Sequence, residues 1–188
     1  MPILGVTASS ISGHLIAPDL GAVFPLGMVR LASAASYIEF TSIPDTYQHL
    51  QLRFLTATTD GYTDGYIAFN SDTTTTNYYA NRVFGNGNAT GNTAQNTNYN
   101  FNNWNVGEAN MFVAGVVDIL NYSDNAKRKV SKIFTGFSNN VGANTDNWIG
   151  QHSLIWNNTN KITSVRIYMS GQNLFANSQA TLYGIKGA

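Results

Sequence analysis

Residues 49–58 read HLQLRFLTAT, and this stretch decides the fold class. Leu50, Leu52 and Phe54 alternate with polar residues along it. Successive side chains of a β-strand point to opposite faces, so a period of two predicts a half-buried strand. We therefore expect the even-numbered residues from 50 to 54 to face a hydrophobic core.

Further strands are predicted on both sides of this one. The run MFVAGVVDIL (111–120) is continuously apolar and rich in Val, which predicts a central strand. The other predicted strands are YIEF (37–40), YIAFN (66–70), NYYANRVFG (77–85), KVSKIFTGF (129–137), HSLIW (152–156), ITSVRIYM (162–169) and QATLYGI (179–185). Turn residues separate them, and only residues 121–128 offer a short helical candidate. This pattern predicts an all-β fold, a single antiparallel β-sandwich or jelly-roll-like domain.

The first 32 residues differ from the rest of the chain. Gly, Ser and Pro interrupt short apolar steps that have no sustained period. We therefore predict an extended N-terminal anchoring arm, residues 1–32, ahead of a β-sandwich domain, residues 33–188. Apolar side chains in such an arm need a surface to lie on, offered by this domain, a sister subunit or a larger assembly. The predicted assembly residues of the arm are Ile3, Leu4, Val6, Ile11, Leu15, Ile16, Phe24 and Leu26.

Charge is scarce in this sequence. Only 11% of the 188 residues are charged, and ten basic residues balance ten acidic ones. Nucleic acid is therefore not an expected partner, because phosphate binding needs a clustered excess of Lys and Arg. The one basic cluster, Lys127 to Lys129 with Lys132, is interpreted as a solvated turn. No basic leader or unbroken apolar run is present, so we expect no signal peptide and no membrane partner. The absence of Cys excludes disulfides and thiol chemistry.

The segment NRVFGNGNATGNTAQNTNYNFNNWN (81–105) contains a single charged residue, Arg82. It is predicted to be a loop between the strands at 77–84 and 111–120, far longer than a hairpin requires. Asn side chains can order such a loop by bonding to its own backbone, and Tyr99, Phe101 and Trp104 would anchor it. A surface rich in Asn, Tyr and Trp suits contact with a neighbouring subunit or a glycan. A surface loop without a ligand is the alternative.

The sequence offers little for catalysis or metal binding. His14, His49 and His152 have no metal-ligand spacing, and no G-x-S-x-G motif is present. The acids are scattered, so hydrolysis by paired carboxylates is only a remote alternative. Asp60 and Asp64, in a doubled Asp-Gly-Tyr, are calcium candidates, although Asp-Gly is more often a tight turn. We expect no enzyme activity, no catalytic residue and no cofactor.

Four blocks of sequence resemble a known class of proteins. These are MPILGVTASSISG (1–13), FTSIPDTYQHLQLRF (40–54), VVDILNYSDNAKRKV (116–130) and ATLYGIKGA (180–188). They are similar to blocks in small virion proteins of tailed bacteriophages, mainly of marine and cyanobacterial phages. The resemblance implies a component of the virion, assembled in the host cytoplasm. It brings no catalytic residues, and it does not distinguish the head from the tail.

The sequence and the resemblance together predict a non-enzymatic capsid decoration subunit of the cement or head-fibre type. Its expected partners are other virion proteins, either the major capsid protein or tail proteins, and further copies of itself, with a trimer as one expected form. The alternative is a tail-fibre or baseplate protein that binds a glycan on the host surface. In that case the loop 81–105 and the aromatic residues Tyr62, Tyr66, Trp104 and Trp148 would meet the glycan.

Overall fold

The computed structural model describes residues 22–59, 63–85, 90–95, 104–106, 111–138 and 147–187. Within these ranges the chain forms twelve strands, one 3-10 helix at Thr75–Asn77 and no α-helix. The strands are β1 (Val23–Arg30), β2 (Tyr37–Phe40), β3 (His49–Thr56), β4 (Thr63–Phe69), β5 (Tyr78–Gly85), β6 (Thr90–Gln95), β7 (Trp104–Val106), β8 (Val113–Leu120), β9 (Lys129–Ser138), β10 (Asn147–Trp156), β11 (Val165–Met169) and β12 (Gln179–Ile185). The predicted all-β class is confirmed. No helix within the described ranges has the length and hydrophobicity needed to cross a membrane.

The strands form two antiparallel sheets. The large sheet has eight strands in the order β1-β12-β3-β8-β9-β10-β5-β6, and the small sheet has four in the order β2-β11-β4-β7. Buried side chains from both sheets belong to one hydrophobic cluster. Each sheet therefore has an inner face that contributes to a shared core, as in a β-sandwich.

The alternation predicted for the strand at 49–58 is confirmed in β3. Leu50, Leu52 and Phe54 are buried, whereas Arg53 and Leu55 are exposed. Removing one such side chain from water contributes roughly 1.5–3 kcal/mol to folding. β3 lies between β12 and β8 in the middle of the large sheet, so its inner face packs against the core along its whole length.

The run at 111–120 forms β8, which is central as predicted but has only one buried face. Val113, Val117 and Ile119 are buried, whereas Ala114 between them is exposed. The run is continuously apolar because the opposite face of the large sheet also carries apolar residues. A continuous apolar strand in this protein therefore indicates a second apolar surface and not a strand buried on both sides.

A glycine in β8 makes room for an aromatic ring of β3. Gly115 lies directly opposite Phe54 in the register of the two strands. A Cβ atom on Gly115 would lie 2.2 Å from Cζ of Phe54, closer than non-bonded carbon atoms approach. The ring therefore covers the glycine backbone, and this position needs a residue without a side chain.

The long loop predicted at 81–105 contains more regular structure than its sequence indicates. Residues 78–85 and 90–95 form the antiparallel pair β5 and β6, and residues 104–106 form β7 beside β4. β6 is an edge strand, so its backbone needs one partner only. The prediction of a single irregular loop was wrong because an edge strand of Thr, Gly and Asn shows no alternation of apolar residues.

The prediction of a short helix at 121–128 was also wrong. Asn121 has φ of +48°, which lies outside the range of a right-handed helix. The N–H of Asp124 donates to the carbonyl of Asn121 at 3.1 Å, and its own Oδ1 accepts from the N–H of Ala126 at 2.7 Å. These short-range bonds make consecutive turns between β8 and β9.

The basic cluster in this turn is only partly solvated. Lys127 and Arg128 are exposed, as predicted, but Lys129 is buried. Its Nζ donates to the carbonyls of Lys127 at 2.8 Å and Thr159 at 3.0 Å, and also to that of Asp124. Burial lowers the pKa of Lys129, and the nearby charge of Asp124 acts in the opposite direction. The Lys129 ammonium group therefore ties the turn at 121–128 to the residues after β10.

The first strand of the large sheet is irregular. β1 pairs with β12, and the register shifts between Pro25 and Gly27, which marks a β-bulge. β1 is the edge of the sheet, so its other side has no strand partner in the described chain. Pro25 has no N–H group and is tolerated at this edge position.

Because two tyrosines are buried, we expect alkaline pH to destabilise the fold. The hydroxyl of Tyr78 donates to the carbonyl of Asp72 at 2.8 Å, and that of Tyr122 donates to the carbonyl of Pro44. Burial raises the pKa of both residues above the usual value of about 10. A raised pKa in the folded state stabilises the protein below the unfolded pKa, and this stabilisation is lost as the pH rises toward the folded pKa.

We therefore expect the free energy of unfolding to fall above about pH 10, by up to about 1.4 kcal/mol per pH unit for each tyrosine. Urea unfolding curves at a series of alkaline pH values, followed by circular dichroism, measure this slope. Tyr78→Phe serves as the control, because removal of one ionisable hydroxyl should make the slope smaller. A free energy of unfolding that stays constant across this range would contradict the assignment.

Candidate functional site

The large sheet has an apolar surface on the side away from the core. Seven large hydrophobic residues are exposed in the described part of the chain, and all but Tyr37 lie on this side. We call this side the outer face and define it by these six residues: Val23, Met28, Leu55, Val83, Phe134 and Ile149. The residues belong to five different strands, so the outer face is a property of the sheet and not of one segment.

The strand register aligns these residues in rows across the sheet. Phe134 of β9 is opposite Gln151 of β10, which is in turn opposite Val83 of β5. One row further along, Ile149 is opposite Gly136. Residues directly opposite each other on antiparallel strands share a face with Cβ atoms about 5 Å apart, so these side chains form a continuous surface.

A groove lies at the β5–β6 end of the outer face. It has a volume of about 710 Å³, and Val83, Phe134 and Ile149 line it together with the backbone around Gly91 and Gly150. A second groove of about 460 Å³ adjoins it, and the two share Val83, Asn92 and Gln151 as lining residues. Apolar side chains with a few amides between them are the usual composition of a protein contact surface.

Charged residues of the outer face lie beside and within the second groove. Gln51 Nε2 donates to Asp118 Oδ1 at 2.8 Å, and Arg53 Nε donates to Gln51 Oε1 at 2.8 Å. Asp118 is opposite Lys132 in the register of β8 and β9, and Lys132 lines the second groove. The described lining of the first groove carries no charge, so a partner would have no charged group to desolvate there.

Two carboxylates of the described residues form ion pairs. Asp45 forms an ion pair with Lys161 at 2.6 Å, and Glu39 forms one with Arg166 at 3.2 Å. Within the described ranges no three His, Asp or Glu side chains come together as a possible metal site. Glu39 in β2 and Asp118 in β8 belong to different sheets.

Asp72 shows what holds a third carboxylate in place. Its Oδ2 accepts from Trp156 Nε1 at 2.9 Å and from Asn77 Nδ2 at 2.8 Å, and its Oδ1 accepts from the N–H of Thr74 at 3.0 Å. Burial alone would raise the pKa of Asp72, but these hydrogen bonds outweigh it and hold the pKa below its ordinary value. A carboxylate that stays ionised and fully bonded has a structural role.

The calcium candidates are only partly placed by the structure. Asp60 lies outside the described residues. Asp64 lies in β4, opposite Asn105 of β7, and its backbone carbonyl accepts from the N–H of Ser170 at 3.1 Å. In the described part of the chain, Asp64 belongs to no cluster of three potential ligands.

The aromatic residues predicted to meet a ligand are distributed differently from the expectation. Tyr99 and Phe101 of the predicted contact loop lie outside the described residues, as does Tyr62, and Trp104 lies in β7 opposite Gly65. Tyr66 and Trp148 were expected at the surface, but both are buried.

Packing explains the burial of these two residues. Tyr66 is stacked on Tyr168 with the ring centroids 5.3 Å apart. Trp148 is stacked between Phe84 and Phe137 at centroid distances of 6.4 and 6.2 Å. A large ring in a strand gains more from such contacts than from exposure, because its full area is removed from water.

Of the predicted arm, only the residues from 22 onward belong to the described structure. Phe24 and Leu26 lie in β1, and Leu26 packs against the core. Phe24 lies 5.7 Å from the ring of Tyr47, between ring centroids, and the Lys186 Nζ is 5.0 Å from the centroid of its ring. The other predicted arm residues, Ile3, Leu4, Val6, Ile11, Leu15 and Ile16, lie outside the described residues.

The outer face was not predicted, although its residues left a signal. Leu55 and Phe134 are large apolar residues at solvent-facing positions of their strands. A large apolar residue at a polar position, repeated in several strands, is the pattern that could have identified the surface. No protein-family model matches this sequence, and no curated protein matches it.

Proposed function

We propose that this protein is a non-enzymatic structural protein of a bacteriophage virion, a capsid decoration subunit of the cement or head-fibre type. In this proposal the part of the predicted 1–32 arm that precedes β1 attaches a single jelly-roll-like β-sandwich to other virion proteins. The observation that supports it best is the outer face, because six exposed hydrophobic residues on one side of one sheet suit contact with another protein. The resemblance of four sequence blocks to phage virion proteins supports the same function.

The dimensions of the outer face agree with a protein contact. Eight strands spaced about 4.8 Å apart span about 34 Å, and seven residues along a strand span about 23 Å. The resulting area of about 800 Å² equals the contribution of one partner to an interface of standard size. The proposed partners are the major capsid protein or tail proteins, and further copies of this chain in a cyclic oligomer such as a trimer.

Purified phage particles provide the test of this function. We expect mass spectrometry to find the full chain in the particles, in many copies for a head decoration and in a few copies for a tail protein. Deletion of residues 2–21 keeps all twelve strands and removes most of the proposed arm, so the shortened chain should fold but fail to enter particles. Phe134→Asp should also reduce incorporation, because it places a charge in the groove of the outer face.

Circular dichroism of the two variants supplies the control for folding. Full incorporation of the shortened chain would show that residues 2–21 are not the anchor. Absence of the full chain from purified particles would refute the virion proposal itself.

The alternative function is a tail-fibre or baseplate protein that binds a host glycan. One observation favours it: the exposed tyrosine outside the outer face, Tyr37, lies on the small sheet beside polar residues. A low copy number together with binding to host cells would select this alternative.

A further inference from the structure

Three tyrosines cross the small sheet in one row. Tyr168 of β11 is opposite Tyr37 of β2 on one side and opposite Tyr66 of β4 on the other. Their sequence neighbours Ile38, Ile167 and Ile67 are buried in the core, so the tyrosines lie on the face of the small sheet that points away from it. Exposure increases along the row from Tyr66 at 5% to Tyr37 at 44%. Tyr37 therefore presents an aromatic ring to solvent at the edge of this sheet.

A contact with Arg166 holds the ring of Tyr37 in place. The guanidinium carbon of Arg166 lies 4.3 Å from the centroid of the ring, in a cation–π contact. Arg166 Nη2 is in turn 3.2 Å from Glu39 Oε1 and donates to Ser71 Oγ at 3.3 Å. The side chains of Arg166 and Glu39 are each less than a quarter exposed, so their positions are fixed by packing as well as by charge. An exposed ring on such a support loses little conformational entropy when a ligand stacks on it.

A cleft of about 400 Å³ opens beside this ring. Tyr37, Tyr168 and Arg166 line it from the sheet, and the polar side chains of Thr59, Gln172 and Asn173 line it from the segments alongside. The volume lies within the range of about 300–1,000 Å³ for small-molecule sites. Arg166 is the one charged residue among the described residues that line the cleft, and Glu39 already neutralises it.

Backbone hydrogen bonds hold the polar wall of the cleft in place. The N–H of Thr59 donates to the carbonyl of Asn173 at 3.1 Å. The N–H of Ser170 donates to the carbonyl of Asp64 at 3.1 Å, and Thr63 Oγ1 donates to the carbonyl of Ser170 at 3.0 Å. Gly171 has φ of +67°, which glycine adopts without strain, and allows the chain to turn here. The cleft is therefore formed by elements that are fixed before any ligand arrives.

Two polar atoms in the cleft residues are left without a partner. Arg166 Nε and Gln172 Oε1 are both buried, and neither has a hydrogen-bond partner among the described residues. The first is a donor and the second an acceptor. Because both atoms are covered, a ligand in the cleft contacts other polar groups of its lining, such as the amide of Asn173.

We propose that the cleft beside Tyr37 binds a neutral oligosaccharide. One sugar ring stacks on Tyr37, and its hydroxyl groups bond to the amide side chains of Gln172 and Asn173. Among the described residues of the lining the one cation, Arg166, is already paired with Glu39, so a neutral ligand fits this lining better than phosphate or another anion. This site differs from the predicted contact loop at 81–105, and it does not depend on whether the protein sits on the head or the tail of a virion.

A glycan array that carries neutral and anionic oligosaccharides tests this proposal with the full chain. We expect the array to show binding of neutral glycans. Anionic glycans should bind no more tightly than neutral ones. Isothermal titration calorimetry with the best neutral oligosaccharide then measures the Kd. Tyr37→Ala should weaken binding about tenfold or more because it removes the stacking surface, whereas Tyr37→Trp should preserve binding. Gln172→Ala should weaken binding as well, through loss of the amide.

Asn125→Ala is the control, because Asn125 is an exposed amide in the turn after β8, outside both the cleft and the outer face, and its loss should leave the Kd unchanged. Circular dichroism shows whether each variant is folded. No retention of any neutral glycan on the array, or an unchanged Kd in Tyr37→Ala, would overturn the proposal. Neither result would bear on whether the chain is found in particles, so the two proposals fail separately.

Discussion

Replacing Trp156 with alanine is expected to lower the free energy of unfolding by about 4 kcal/mol. Trp156 is among the largest fully buried side chains, and its ring lies 5.8 Å from that of Phe69, measured between centroids. The substitution removes this packing and also the hydrogen bond from Nε1 to Asp72. Since small domains are stable by roughly 5–15 kcal/mol, the variant should be close to unfolding at room temperature.

Trp156→Phe separates the two contributions. It keeps an aromatic ring in the core but removes the indole N–H, so it should cost about 2 kcal/mol. Urea unfolding followed by circular dichroism measures both variants. In an Asp72→Ala background, Trp156→Phe should cost less than it does alone, because the carboxylate that accepts the bond is gone. An equal cost in the two backgrounds would show that the bond to Asp72 adds nothing to stability.

Replacing Lys129 with methionine is expected to destabilise the protein by about 3 kcal/mol. Methionine fills a similar volume but has no donor. The carbonyls of Asp124, Lys127 and Thr159 would therefore lose the ammonium group that satisfies them. Each of these hydrogen bonds to the charged group contributes about 1 kcal/mol.

Lys127→Met is the matched control for this change. Lys127 is exposed in the same turn, so its replacement should alter stability by less than about 0.5 kcal/mol. Urea unfolding at neutral pH measures the difference between the two variants. If both substitutions cost the same, the burial of Lys129 would not contribute to stability.

Sequence alone predicted the strands whose two faces differ. In β3 apolar and polar positions alternate clearly, and the strand was located to within two residues. β6 could not be found in this way, because it forms through backbone pairing with β5 and its sequence TGNTAQ has no apolar phase. The strand order of the sheets was not predictable either, since β10 pairs with β5 across more than sixty residues of chain.

The candidate sites depend on this unpredicted register. Val83 and Phe134 are far apart in sequence, and only the pairing of both strands with β10 brings them to one groove. The row of tyrosines on the small sheet arises in the same way from β2, β4 and β11. For Lys129, one of the three carbonyls that it binds comes from Thr159, beyond the next strand. Such partners are set by tertiary structure, which local sequence patterns do not contain.

The irregular strand β1 also limits how another chain can add to the edge of the large sheet. An exposed edge strand can form backbone hydrogen bonds with a strand of another chain, and repeated addition of this kind leads to fibres. At the β1 edge Pro25 has no N–H donor. The β-bulge between Pro25 and Gly27 also makes the spacing of the neighbouring backbone groups irregular. Addition of another chain to the large sheet at the β1 edge is therefore disfavoured.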